Sequence, residues 1–276
     1  MRENPEESSM DDGVTAKKRR KGIYLLPNLL TTGTLFGGFY AIVMSMDGRF
    51  ENAVYGILAA MIADGLDGRV ARWTNTQSDF GKEFDSLCDM VAFGIAPAIL
   101  IYAYSLNGLA DYRWIGGKLG WVIAFTYAAC AALRLARFNV LAAIASSNKD
   151  FYGVPSPAAA AVVTFFVWSC VDDSHSLFAW VAGHVPIDGH DALVVAAPLT
   201  LATALSMVSS FRYNSFKKLN LTARLKFLSF ASVIGVLALV LIDPPRILFM
   251  LFFAYALSGP AVVLWRKLRK KPAPAA

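Results

Sequence analysis

Apolar residues fall into eight segments along the chain, at roughly 25–46, 52–73, 83–106, 119–138, 156–171, 191–210, 225–242 and 247–265, separated by polar stretches. Uncharged runs such as Leu228–Ile242 and Ile247–Trp265 approach or reach the roughly 20 residues that cross a bilayer as a helix. The pattern predicts an all-α, polytopic membrane protein of about eight transmembrane helices. Pro27 opens the first segment, where its missing N–H costs little. Asp243-Pro244-Pro245 marks the turn between the last two. Leu177–Val185 is apolar but too short to span, which suggests an interfacial or re-entrant piece. No internal repeat or separate soluble domain stands out. The expected organisation is a tail at 1–20, a membrane unit at 21–268 and a basic, Pro/Ala-rich tail at 269–276.

Composition agrees: 56% of the 276 residues are hydrophobic and 17% charged, against about a quarter charged in soluble domains. The net charge of +6 raises nucleic acid as a partner. Its distribution excludes that, because the basic residues flank apolar segments as membrane topology requires. With the N-terminus placed in the cytoplasm, twenty-one Lys and Arg fall inside, while Arg49, Arg113, Lys118 and Arg246 fall outside and Arg2 lies far out in the tail. Both termini are therefore expected in the cytoplasm, with an even number of spans. Residues 1–20 are polar and end in a basic run at Lys17–Lys21. They are expected to be a disordered tail, too polar and too long to be a cleaved signal peptide. Cys88, Cys130 and Cys170 sit in apolar stretches without paired spacing, which argues for core thiols and against a disulfide framework or zinc site. His175, His184 and His190 share one loop region, where solvated side chains are a better expectation than a zinc site.

One stretch departs from the apolar pattern. Residues 64–72 read Asp-Gly-Leu-Asp-Gly-Arg-Val-Ala-Arg, and eight further residues lead to Gly81-Lys-Glu-Phe-Asp85-Ser-Leu-Cys-Asp89. The spacings of three and four put Asp64 with Asp67, and Asp85 with Asp89, each pair on one helix face. A short cytoplasmic turn between antiparallel helices would bring the pairs together. Four carboxylates in one small volume must either stay partly protonated or be neutralised by cations. Hard oxygen donors favour Mg²⁺ or Mn²⁺. Gly68, Ala71 and Gly81 remove bulk beside the carboxylates, and Arg69 and Arg72 can reach phosphate oxygens. Carboxylates, metal and Arg together point to phosphoryl-type transfer. Solvated helix caps would explain one such Asp better than four at this spacing, and ionisable groups at a membrane edge are functional candidates.

These residues spell D-G-x-x-A-R, eight residues, G, three residues, D, three residues, D, beginning at Asp67 and preceded by Asp64. The run resembles the signature of the CDP-alcohol phosphatidyltransferases at every position. Tyr24–Thr32, Asp85–Ala98, Leu133–Asn139 and Phe151–Ala160 look like the branch that makes phosphatidylserine, and the likeness covers roughly residues 20–165. The resemblance implies transfer of the phosphatidyl group of CDP-diacylglycerol to the hydroxyl of L-serine, with release of CMP. It implies Asp64, Asp67 and Asp85 as ligands of divalent metal, Mg²⁺ or Mn²⁺ and two ions in number. Asp89 would be the general base and would also touch a metal. A serine hydroxyl is a poor nucleophile at neutral pH and needs such a base. Gly68, Ala71, Gly81, Asn28, Thr31 and Arg72 would receive the CDP-lipid, with Arg72 on the diphosphate. Capping near Pro27 is an equal explanation for Asn28 and Thr31. Arg134, Arg137 and Asn139 would bind serine, unless the two arginines are only positive-inside anchors; Ser86 and Glu83 are weaker candidates. A homodimer in the bacterial inner membrane, with its active site on the cytoplasmic side, follows by analogy.

Two other functions fit parts of the pattern. One is the same chemistry with another acceptor, such as glycerol phosphate, inositol phosphate, choline or an archaeal-type lipid donor in place of the diacyl one. The other is an ion-coupled transporter, against which stand the absence of repeated halves and the gathering of charge at one membrane face.

Overall fold

The first apolar segment becomes α1 (Leu25–Met46), and its polar side chains show how a membrane helix carries hydroxyls. Thr32 donates to the Asn28 carbonyl and Ser45 to the Ala41 carbonyl, both at 2.7 Å, so each is satisfied within its own helix. The helix ends at Gly48, whose φ of 73° is the left-handed conformation of a C-terminal cap. The Arg49 amide reaches back to the Met44 carbonyl (2.9 Å) and the Gly48 amide to that of Ser45 (3.3 Å), which is the Schellman arrangement. This reverses the chain into α2 (Phe50–Trp73).

A computed structural model describes residues 25–74, 78–111, 118–144, 153–171, 189–209 and 234–269. The expectations for the 1–20 tail, Leu177–Val185, His175, His184, residues 225–233 and the end of the basic tail lie outside them. After α2, the chain continues as α3 (Asp79–Asp89), one π-helical turn (Met90–Ile95) and α4 (Ala96–Tyr104). A 3₁₀ turn (Leu106–Asp111) follows, then α5 (Leu119–Ile144), α6 (Ser156–Val171), α7 (Gly189–Val208), a short α8 (234–242) and α9 (Pro244–Arg269). Among the described residues every element is helical. Among the described residues, five helical runs are long and apolar enough to cross a membrane: Pro27–Met46, Asp79–Tyr104, Leu119–Leu141, Gly189–Val208 and Pro244–Val263. The chain is thus an all-α integral membrane protein. α2 is as long, at 24 residues, but carries the charged motif at its end. α6 is shorter, at 16 residues.

Boundaries differ from the hydropathy pattern where polar residues extend a helix. The third span starts at Asp79, not near 83, because Ser78 caps it by accepting from the Gly81 amide at 3.0 Å. α5 runs past 138 to Ile144 and takes Arg134, Arg137 and Asn139 with it. Asp243 caps α9, with its carboxylate 3.4 Å from the Arg246 amide and 3.3 Å from the Arg246 guanidinium.

Packing follows small residues. A side chain on Gly56 would strike the Gly37 carbonyl at 2.9 Å, and one on Gly38 would strike the Ala92 backbone at 2.7 Å. α1 therefore lies backbone-to-backbone with both α2 and the π turn, a mode suited to membranes, where apolar burial does not drive helix association. The π turn leaves the Phe93 carbonyl to be satisfied from outside, and the fully buried Tyr127 hydroxyl of α5 donates to it at 3.2 Å. α6 is apolar on all faces and almost wholly buried, with α2, α4, α7 and α9 around it. Phe165 and Phe166 meet Phe252 and Phe249 of α9.

Candidate active site

The antiparallel α1–α2 pair and the start of α3 bring the charged motif together at one end of the bundle. Carboxylate oxygens of Asp64, Asp67 and Asp85 lie within 4.8 Å of one another. Asp67 is buried, and its Oδ2 accepts a hydrogen bond of 2.9 Å from the Thr31 hydroxyl, which also lies 3.0 Å from the Pro27 carbonyl. Asp89, one turn further along α3, is not part of the three-carboxylate group. The Oδ1 atoms of Asp85 and Asp89 are buried and have no hydrogen-bond partner in the protein. An unpaired buried carboxylate oxygen is costly. Three hard donors and an orphaned oxygen in one place are what a divalent cation compensates, so this group could hold a metal.

A cavity of about 240 Å³ opens beside the carboxylates. Asn28, Thr31, Gly68, Ala71, Arg72 and Gly81 all line it, together with Asp67 and Asp85. Gly68 has open space where a side chain would stand, whereas a side chain on Gly81 would come within 3.1 Å of the Ser78 hydroxyl. Arg72 lines the cavity and Arg69 does not. Pro27, Ser78 and Lys82 line it too and were missed as site residues. Lys82 sits at an unspecified position of the motif, and Ser78 stands three residues before Gly81, the spacing of an N-cap.

The basic residues of α5 separate by exposure. Arg134 points inward, with its Nη1 2.6 Å from the Ser156 hydroxyl at the start of α6 and its Nε buried without a hydrogen bond. It lies within electrostatic reach of Asp89 and of Tyr255 of α9. Arg137 is exposed. The Asn139 amide donates to Ser86 at 2.9 Å, tying α5 to α3 between Asp85 and Asp89. Glu83 is exposed. The three cysteines are buried and free. His190 is not a loop residue but part of α7, and it meets Asp111 at 3.1 Å at the far end of the bundle.

Comparison with known proteins identifies the family. Residues 24–187 match the family model described as CDP-alcohol phosphatidyltransferase. A CDP-diacylglycerol–serine O-phosphatidyltransferase of Helicobacter pylori is 34% identical over 249 residues, covering 90% of this chain and 94% of that one. An archaetidylserine synthase of Methanothermobacter thermautotrophicus is 34% identical, covering 71% and 72%. A CDP-diacylglycerol–serine O-phosphatidyltransferase of Mycobacterium bovis is 39% identical over 152 residues, covering 54% and 50%. The match spans the helices that build the carboxylate group and its cavity, and the chain belongs to the CDP-alcohol phosphatidyltransferase family.

Proposed function

We propose that the protein transfers the phosphatidyl group of CDP-diacylglycerol to the hydroxyl of L-serine and releases CMP. The observation that carries this reading is the three-carboxylate group opening onto a cavity lined by the small and basic residues of the motif. Asp64, Asp67 and Asp85, with Asp89 at the edge, would hold two divalent cations, Mg²⁺ or Mn²⁺. When bound, these neutralise the charge that develops on the diphosphate oxygens. Gly68, Ala71 and Gly81 leave room for the cytidine, Asn28 and Thr31 face it from α1, and Arg72 pairs with the diphosphate. Asp89 takes the proton of the serine hydroxyl as its oxygen bonds to the lipid-bearing phosphorus. The bond from that phosphorus to the bridging oxygen breaks, and CMP leaves with the electron pair. Arg134, Arg137 and Asn139 form the acceptor side, with Arg134 matched to the serine carboxylate.

The acceptor assignment is supported by the extended match to relatives named for serine. The Lys and Arg distribution supports a cytoplasmic active site and cytoplasmic termini in a bacterial inner membrane. A homodimer is proposed by family analogy. The test is CMP release by purified protein with CDP-diacylglycerol, Mg²⁺ or Mn²⁺, and a panel of labelled acceptors. Serine should be the productive acceptor, with chelator abolishing turnover and added metal restoring it. Release with glycerol 3-phosphate but not serine would overturn the acceptor assignment.

A further inference from the structure

The Arg134 guanidinium is held from an unexpected direction. α6 begins at Ser156, whose side chain is fully buried, and Arg134 Nη1 donates to its hydroxyl at 2.6 Å. That hydroxyl stands on a rigid mount. Gly153 adopts φ 78°, and a Cβ added there would collide with the Met207 carbonyl oxygen, so no side chain fits. The Val154 amide donates to the Ser206 carbonyl at 3.2 Å, and the Ala159 amide closes the first turn of α6 on the Pro155 carbonyl at 2.9 Å. The end of α7 thus fixes the 153–155 turn, the turn fixes Ser156, and Ser156 fixes one arm of Arg134. The buried Nε of Arg134 makes no hydrogen bond within the protein. One arm of the guanidinium is therefore fixed by Ser156, and its buried Nε is left without a partner of its own.

We infer that Ser156 is a positioning residue that orients the Arg134 guanidinium toward the carboxylate of the amino-acid acceptor. This rests on the proposed serine transfer. Arginine recognises a carboxylate through a planar fork, so rotation of the guanidinium costs affinity even when its charge stays in place. Ser156 is not among the residues that line the cavity around Gly68 and Arg72, so the CDP-lipid side should not register its loss.

The test is steady-state kinetics of the purified full chain in lipid nanodiscs, varying L-serine and CDP-diacylglycerol separately. Ser156→Ala should raise KM for serine about tenfold, the scale of one hydrogen bond to a charged group. KM for CDP-diacylglycerol should stay within about twofold. Ser156→Cys, close in volume and a poorer acceptor, should also raise KM for serine, and it carries the test if the Ala variant does not fold. In an Arg134→Lys background, Ser156→Ala should add little, because the two residues act as a unit. An unchanged serine KM, a parallel rise in both KM values, or full additivity in that background overturns the inference alone. Absence of serine turnover in the unsubstituted protein overturns the acceptor assignment and the inference together.

Discussion

Asp67 is gripped by two helices, and this decides how its neighbour Thr31 matters. Its backbone belongs to α2, while the hydroxyl on its Oδ2 comes from α1 at 2.9 Å. A hydrogen bond of that kind fixes which carboxylate oxygen faces a cation, and loss of such outer partners commonly costs 10–100-fold in metal affinity or activity. Thr31→Val keeps the shape and removes the hydroxyl. It should raise the Mg²⁺ or Mn²⁺ concentration for half-maximal CMP release about tenfold, with little change in protein yield; an unchanged metal titration would mean the hydroxyl is idle. At this scale the sequence was informative about membership and silent about contact. Spacing places four aspartates on two helix faces, and the structure brings the carboxylate oxygens of Asp64, Asp67 and Asp85 within 4.8 Å of one another, with Asp89 inside their electrostatic reach. Thr31 could be placed beside the cavity from its motif, but its bond to a residue 36 positions away could not be seen in any local pattern. Ser156, whose bond to Arg134 spans 22 positions, was hidden for the same reason.

Between elements, the site depends on how closely α1 approaches its neighbours. Gly37 and Gly56 allow the two backbones to touch, and Gly38 does the same against the π turn at Ala92. A leucine at Gly56 would meet the Gly37 carbonyl and the Tyr40 ring, both within about 3 Å at the Cβ alone. Backbone cannot give way there as a side-chain tip can, so α1 must shift. Gly56→Leu should lower the thermal midpoint in detergent by several degrees and cut turnover more than tenfold, since Asn28 and Thr31 ride on α1; Gly235→Leu, where a side chain meets open space, should do neither. Hydropathy predicted these helices because a span needs a long apolar run. It could not predict the π turn at Met90–Ile95, whose widened backbone is supported by Tyr127 from a helix 34 residues away. Nor could it end α5 correctly, since Arg134, Arg137 and Asn139 interrupt the apolar run without interrupting the helix.

Across the described residues the carboxylate group and its cavity lie at one end of the bundle. Asp64, Asp67, Asp85, Arg134 and Ser156 gather there, while Asn107, Asp111 and His190 mark the other end. The chain visits the two ends alternately: α4 and the 3₁₀ turn meet the start of α7 through Ser105 and the Gly189 carbonyl (2.7 Å), and the end of α7 meets the start of α6. The sequence carries its own statement of sidedness, because Lys and Arg crowd alternate connections between the apolar segments. This makes sidedness measurable with a single probe. The three native cysteines, Cys88, Cys130 and Cys170, are buried and should react slowly, which leaves a quiet background. Asp79 and Asn107 are exposed at opposite ends. In right-side-out vesicles of a bacterial host, a membrane-impermeant maleimide should label Asn107→Cys directly and Asp79→Cys after permeabilisation. The reverse order would turn the protein over in the membrane and place the carboxylate group outside. Equal labelling of both would contradict the burial of the bundle between them.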